Sequence, residues 1–131
     1  MKKQAILFLL VLITAVLHIT SCVTTVTIND DLSPAEIIQR ANEAMDRNRY
    51  GIATQYYEAL GERFSNHIDL VITSKYHLAF IQYKQKNFEL AREGLNDVLS
   101  YYNGPDAVFL PQHYMRLAQI VLNNIDNSAN K

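Results

Sequence analysis

The sequence predicts an all-α domain, a short solenoid of about two and a half helical hairpins, set behind a leader and a tether. Three observations lead there. Between about Pro34 and Ile125 the apolar residues recur at helical spacing, with few strand signals. The junctions between these stretches are short: Asn48-Arg49, Ser65-Asn66-His67, Lys86-Asn87 and Asn103-Gly104-Pro105. Connections of that length make neighbouring helices antiparallel. Finally, one set of residues returns at a fixed interval. Ala41, Tyr50, Ala53, Tyr57, Leu60 and Phe64 reappear 38 residues later as Ala79, Phe88, Ala91, Leu95, Val98 and Tyr102.

The chain opens with a basic start, Met1-Lys2-Lys3-Gln4, and an apolar run from Ala5 to Ile19 interrupted only by Thr14 and His18. That run is short of the roughly 20 residues a bilayer span needs, and it suits the apolar region of a signal peptide. Ile19-Thr20-Ser21-Cys22 follows: an aliphatic residue, two small ones and the only cysteine of the chain. The run resembles the lipobox of bacterial lipoproteins. Small side chains admit a peptidase at the scissile bond, and the thiol is the nucleophile for thioether formation. The expectation is a signal peptide over 1–21 and a lipidated Cys22 as the first of 110 mature residues. An uncleaved signal anchor and a soluble secreted form are the alternatives. A single cysteine excludes disulfide frameworks and cysteine-based zinc sites.

Residues 22–33 read as the lipidated cysteine and its tether, at most about 35 Å long over 23–32. The β-branched run Val23 to Ile28 could pair as a strand, but a solvated linker is the reading adopted. Ser33-Pro34-Ala35-Glu36 then has capping-box form with proline at the first helical position. Five helices are expected, over about 34–47, 50–65, 68–86, 88–102 and 107–125. Gly104 and Pro105 mark the end of the fourth, and Pro111 fits a first turn of the fifth. Residues 34–125 form the domain, and 126–131 are expected to be a flexible tail.

A third, partial copy of the repeat carries Tyr114, Leu117, Ala118 and Val121, displaced by one further residue. Small residues at the recurring alanine positions let the helices of a hairpin approach, and the large ones fill the space between hairpins. A generic helical bundle with fortuitous spacing is the competing reading. The positions match the tetratricopeptide pattern: Lys75, Leu78 and Ala79 fall where its tryptophan, leucine and small residue lie, the lysine being a departure. Phe88, Ala91, Leu95 and Val98 fall on its second helix.

Longer runs carry a closer resemblance. Ser33-Pro34-Ala35-Glu36-Ile37, Tyr56-Tyr57-Glu58-Ala59-Leu60-Gly61-Glu62-Arg63-Phe64, Gln82-Tyr83-Lys84-Gln85-Lys86-Asn87-Phe88-Glu89-Leu90-Ala91 and Tyr114-Met115-Arg116-Leu117 are together similar to the BamD (YfiO/ComL) family. These are the tetratricopeptide lipoproteins of outer-membrane β-barrel assembly. The resemblance covers nearly all of the mature chain but only the N-terminal half of the family pattern, and the half that docks on the barrel subunit lies beyond it. It implies a lipid-anchored interaction module facing the periplasm, with Val23 after the cysteine implying an outer-membrane address. A BamD-like assembly role is the leading expectation. An adaptor lipoprotein for an envelope transporter or cell-wall factor, and a self-associating structural lipoprotein, are the alternatives.

In tetratricopeptide proteins the first helix of each hairpin lines a concave groove. That implies partner-binding roles for Asn42, Asp46, Tyr76, Phe80, Tyr83, Lys84, Met115 and Gln119, with Ile38, Met45, Thr73 and Leu122 beside them. Tyr76, Phe80 and Tyr83 stand at i, i+4 and i+7, a stripe that serves either the core or a partner. At the open end, Tyr114, Leu117, Ala118, Val121 and Ile125 are expected to pack on the fourth helix. Met115, Ile120 and Leu122 fall off that face, to be covered by a partner or a second copy, or buried by rotation of the helix. Catalysis has little support. His67, His77 and His113 have no metal-ligand spacing, and glycines at 51, 61, 94 and 104 cannot make a phosphate loop. Glu58 with Glu62 and Glu89 with Glu93 read as solvated helix faces, since nothing would separate their pKa values. No enzyme activity, metal or cofactor is expected. Removal of Lys2 and Lys3 moves the formal charge from −1 to −3, which gives no footprint for nucleic acid.

Overall fold

Helix α1, Pro34–Asp46, begins at the capping box. The Ser33 hydroxyl accepts from the Glu36 N–H at 3.4 Å, and the Ser33 N–H donates to the Glu36 carboxylate at 2.9 Å. The Ser33 hydrogen bonds hold that carboxyl below its usual range. The structure, a computed structural model, describes residues 24–129. The expected signal peptide and Cys22 lie outside them.

α1 closes through a turn that the chain uses twice. Asn48 adopts φ 55°, its N–H donates to the Met45 carbonyl at 2.9 Å, and the Arg49 N–H donates to the Ala44 carbonyl at 2.8 Å. Lys86 adopts φ 65°, its N–H donates to Tyr83 at 3.0 Å, and the Asn87 N–H donates to Gln82 at 2.9 Å. Both are left-handed closures that satisfy the last carbonyls of a helix. Asn48 and Lys86 are 38 residues apart, so the interval seen in the side chains is also an interval of the backbone. These turns lead from α1 into α2 (Tyr50–Arg63) and from α3 (Ile68–Lys84) into α4 (Phe88–Ser100).

The fifth helix departs from its expected bounds. Residues Tyr101–Asn103 and Pro105–Phe109 wind as 3₁₀ turns, and α5 runs Gln112–Ala129 instead of 107–125. Pro111 lacks an N–H, and the Gln112 side chain spends its amide on the carbonyls of Ala107 (2.6 Å) and Leu110 (3.0 Å). Residues 126–129 are helix rather than flexible tail. Ile125 is buried there, and Asp126 pairs with Arg92 of α4 at 2.7 Å.

The expected tether is also corrected. Residues 24–32 form a strap laid along α2 that turns at Asp30 and Asp31. Gln55 holds its first part, accepting from the Val26 N–H at 2.9 Å and donating to the Thr24 carbonyl at 2.8 Å. Arg63 holds its second part, donating to the carbonyls of Asn29 (2.7 Å) and Ile28 (2.8 Å) and pairing with Asp30 at 3.1 Å. Val26 and Ile28 pack on the core and Leu32 is buried. The strap thus runs from the N-terminal end of α2 to its C-terminal end, where α1 starts.

Successive helices are antiparallel, as shown by Tyr57 against Asn42, Ser74 against Tyr57, Lys75 against Asp97 and Arg92 against Asp126. Two apolar clusters result. One joins the strap, α1 and α2 and takes Ile81 from α3; the other joins Ile72, Tyr76 and Ala79 of α3 to α4 and α5. α3 is therefore the shared central helix. Every recurring alanine is buried: Ala41, Ala53, Ala79, Ala91 and Ala118. Glycine sharpens the closest approaches, since a Cβ on Gly94 would stand 2.7 Å from that of Ala79 and one on Gly61 would stand 2.8 Å from the Ser74 Oγ.

Candidate functional site

α3 presents two faces that no helix covers completely. The first carries the expected groove residues. Asn42 and Asp46 of α1, Lys84 of α3 and Gln119 of α5 are exposed, and Phe80, Tyr83 and Met115 are half-buried. Leu122 is half-buried and packs on the α3–α5 cluster. Tyr76 does not belong to a free surface. It is 5% exposed, with its ring 5.0 Å from that of Tyr114 on α5 and 5.9 Å from Phe80. Phe80, Tyr83 and Phe88 continue the ladder at centroid spacings of 5.8 and 6.1 Å and pack on the same core. The stripe therefore fills the space between α3 and α5. α5 crosses close enough for Tyr114 to roof Tyr76, a tertiary fact that helical spacing does not contain.

Between α1 and α3 the floor of this face is polar and aromatic. The buried Tyr57 donates its hydroxyl to the Asn42 side-chain carbonyl at 2.7 Å and stacks flat on His77, with centroids 4.4 Å apart and planes 2° apart. Tyr76 and Tyr114 approach the same imidazole edge-on, at 5.2 and 5.9 Å. Burial, with the charge of His113 adding, pushes His77 down to about 4. Burial raises Tyr76 to about 12 and lifts Tyr57 higher still. The imidazole is thus packed among three aromatic rings, and a pKa held that low makes it a weak base.

The opposite face is a furrow that the sequence reading passed over. α2 and α4 form its walls and α3 its floor, enclosing about 480 Å³ lined by Glu58, Leu78, Gln82, Leu90, Glu93 and Asp97 among others. A second hollow of about 250 Å³ shares Glu58, Lys75 and Leu78 with it and continues to Glu62 and Val71. Four carboxylates, Glu58, Glu62, Glu93 and Asp97, face one ammonium, Lys75. That ammonium is held by Asp97 at 2.7 Å, and this hydrogen bond raises its pKa. Leu90, 56% exposed, stands at the mouth. The signal was present in the sequence: Glu58 and Glu62 on one helix, and Glu93 and Asp97 on another, are i, i+4 pairs beside the close-contact glycines Gly61 and Gly94. Pairing Glu93 with Glu89 on one helix face hid its partner across the furrow.

At the open end Ala118, Val121 and Ile125 pack inward, whereas Leu117, expected on that face, is 38% exposed beside Ile120 at 54%. Val108 and Phe109 of the 3₁₀ turn are exposed as well. Among the described residues no group of three or more histidine, cysteine, aspartate or glutamate side chains could hold a metal ion, and no helix is long and apolar enough to cross a membrane.

No family model matches the chain, and no solved structure does. An uncharacterized protein of Treponema pallidum (strain Nichols) is 31% identical over 96 residues, which is 73% of this chain and 38% of that protein. The chain thus spans little more than a third of the length of the relative it matches.

Proposed function

We propose that this protein is a lipid-anchored, tetratricopeptide-like interaction module whose α2–α4 furrow receives a cationic, amphipathic segment of another envelope protein. The furrow carries this reading: an apolar floor of Val71 and Leu78, Leu90 at its mouth, and four carboxylates against one ammonium, three formal negative charges in excess. Burial of apolar side chains on that floor would supply most of the affinity, at about 25 cal/mol per Å². The carboxylates would set orientation and association rate. The duplicated left-handed turn and the buried alanines support the tetratricopeptide-like assignment. A BamD-like role in outer-membrane protein assembly is the leading form of the proposal, with Cys22 as the anchor. An adaptor for an envelope transporter or cell-wall factor is the alternative form.

Crosslinked co-purification from the native envelope tests it, with a Glu58→Gln/Glu93→Gln/Leu78→Ser variant alongside. Recovery of a barrel-assembly subunit with the wild type, and its loss with the variant, supports the furrow and the BamD-like form together. A transporter component recovered in the same way supports the adaptor form. Equal recovery with both proteins contradicts the furrow. Self-association is the second reading, favoured by exposed Leu117 and Ile120. It requires a mass that rises with concentration and a Leu117→Ser/Ile120→Ser variant that stays monomeric.

A further inference from the structure

The strap fixes where an anchor at Cys22 would hold the domain. Its backbone is tied at Thr24, whose carbonyl accepts from Gln55 at 2.8 Å while the same amide donates to Gly51 at 3.0 Å. Thr24 therefore sits at the N-terminal end of α2, the end of the helices that also carries the two left-handed turns. Cys22 is two residues away, a reach of at most about 7 Å. A longer free tether would let the domain drift from a membrane; an anchor two residues from Thr24 would hold the N-terminal end of α2 close to it.

Charge is divided along the same axis. At the turn end Arg47, Arg49, Lys84 and Lys86 are exposed, and none is in an ion pair among the described residues. Glu43, Asp46 and Glu89 are the acids beside them, and Arg92 and Asp126 pair with each other nearby. At the far end Asp30, Asp31, Glu36, Glu62, Asp69 and Asp106 are exposed, against Arg40, Arg63 and Arg116. The chain is weakly acidic as a whole, yet the end that carries the strap's start is basic.

We infer that the turn end is a membrane-contact surface, in which Arg47, Arg49, Lys84 and Lys86 rest on anionic phospholipid headgroups. The inference rests on the reading of Cys22 as a lipid anchor. It orients the helices away from the bilayer, with the furrow opening sideways and the acidic end, with Phe109, pointing outward. Each basic residue near an anionic surface strengthens attachment about fivefold. With Glu43, Asp46 and Glu89 opposing, the one net charge favours this orientation roughly fivefold.

The test uses full-length protein purified from membranes and reconstituted in vesicles that carry a headgroup quencher. The vesicles are of phosphatidylcholine alone or mixed equally with phosphatidylglycerol. A fluorophore is placed at Gln85→Cys, on the turn end, or at Asp106→Cys, on the far end. The expected result is quenching severalfold stronger at position 85 than at 106 in the mixed vesicles. The difference shrinks in phosphatidylcholine, in high salt, and in an Arg47→Gln/Arg49→Gln/Lys84→Gln/Lys86→Gln variant. Equal quenching of both labels on acylated protein overturns the contact surface and leaves the anchor standing, as does a difference insensitive to lipid charge and to the four substitutions. An N-terminal peptide without acyl chains, read by mass on the same preparation, overturns the anchor and this inference with it.

Discussion

At Gly94 an added Cβ would meet the Ala79 Cβ at 2.7 Å, and neither atom belongs to a side chain that can swing away. Overpacking of this kind costs about 1–3 kcal/mol, and the gain in helix propensity returns about 1. Gly94→Ala should therefore lower stability by about 1 kcal/mol in urea unfolding. Gly51→Ala, where a Cβ meets nothing within 4 Å, should raise it by about 0.5–1 kcal/mol. His77 sets a second residue-scale expectation. Tyr57, Tyr76 and Tyr114 enclose it, His113 lies nearby, and Asp46 acts on Tyr57. Its pKa falls from 6.5 in the unfolded chain to about 4 in the fold. Below 6.5 the unfolded chain therefore binds the proton first. The stability due to the neutral imidazole is complete above 6.5 and declines as pH falls toward 4, by about 3 kcal/mol in all. Unfolding midpoints across this window should show the decline, and His77→Phe should flatten it.

At the scale of elements, local signals were legible and side-chain-mediated ones were not. Ser33 and Glu36 announce their helix because both partners lie within one turn. The alanines at 41, 53, 79, 91 and 118 announce their contacts because helical spacing fixes which face they share. The strap gave no such signal, since its partners are the side chains of Gln55 and Arg63, about thirty residues downstream in chain order. Tyr76 was ambiguous for a related reason: its burial depends on where Tyr114 crosses. The strap yields a direct expectation. Gln55→Ala removes the acceptor of the Val26 N–H and the donor to the Thr24 carbonyl, at a cost of about 1 kcal/mol. Amide exchange should accelerate at Val26 while the amides within α2 and α3 keep their protection. Unchanged exchange at Val26 would mean that the apolar contacts of Val26 and Ile28 hold the strap without it.

At the scale of the whole molecule, α3 couples two clusters that otherwise share little. Ile81 contributes to the strap–α1–α2 cluster, and Ile72 to that of α4 and α5. In a stack held by nearest-neighbour contacts, truncating the shared helix weakens both neighbours. Ile81→Ala should cost about 2–5 kcal/mol and separate the unfolding of α1–α2 from that of α4–α5. Probes in the two halves would then give non-coincident transitions, where the parent gives one. The all-helical class was legible in the sequence because it depends on periodicity summed over the chain. The furrow was not, because it lies between helices and exists only once α2 and α4 stand on either side of α3.

The proposed orientation, and the envelope partner proposed for the furrow, both rest on the proposal that Cys22 holds the chain at a membrane. Intact mass and N-terminal peptide analysis of the protein taken from its native envelope test this most directly. The account predicts a chain that begins at Cys22 and carries acyl chains on that residue. A chain that retains residues 1–21, or that begins elsewhere with Cys22 as a free thiol, would contradict it.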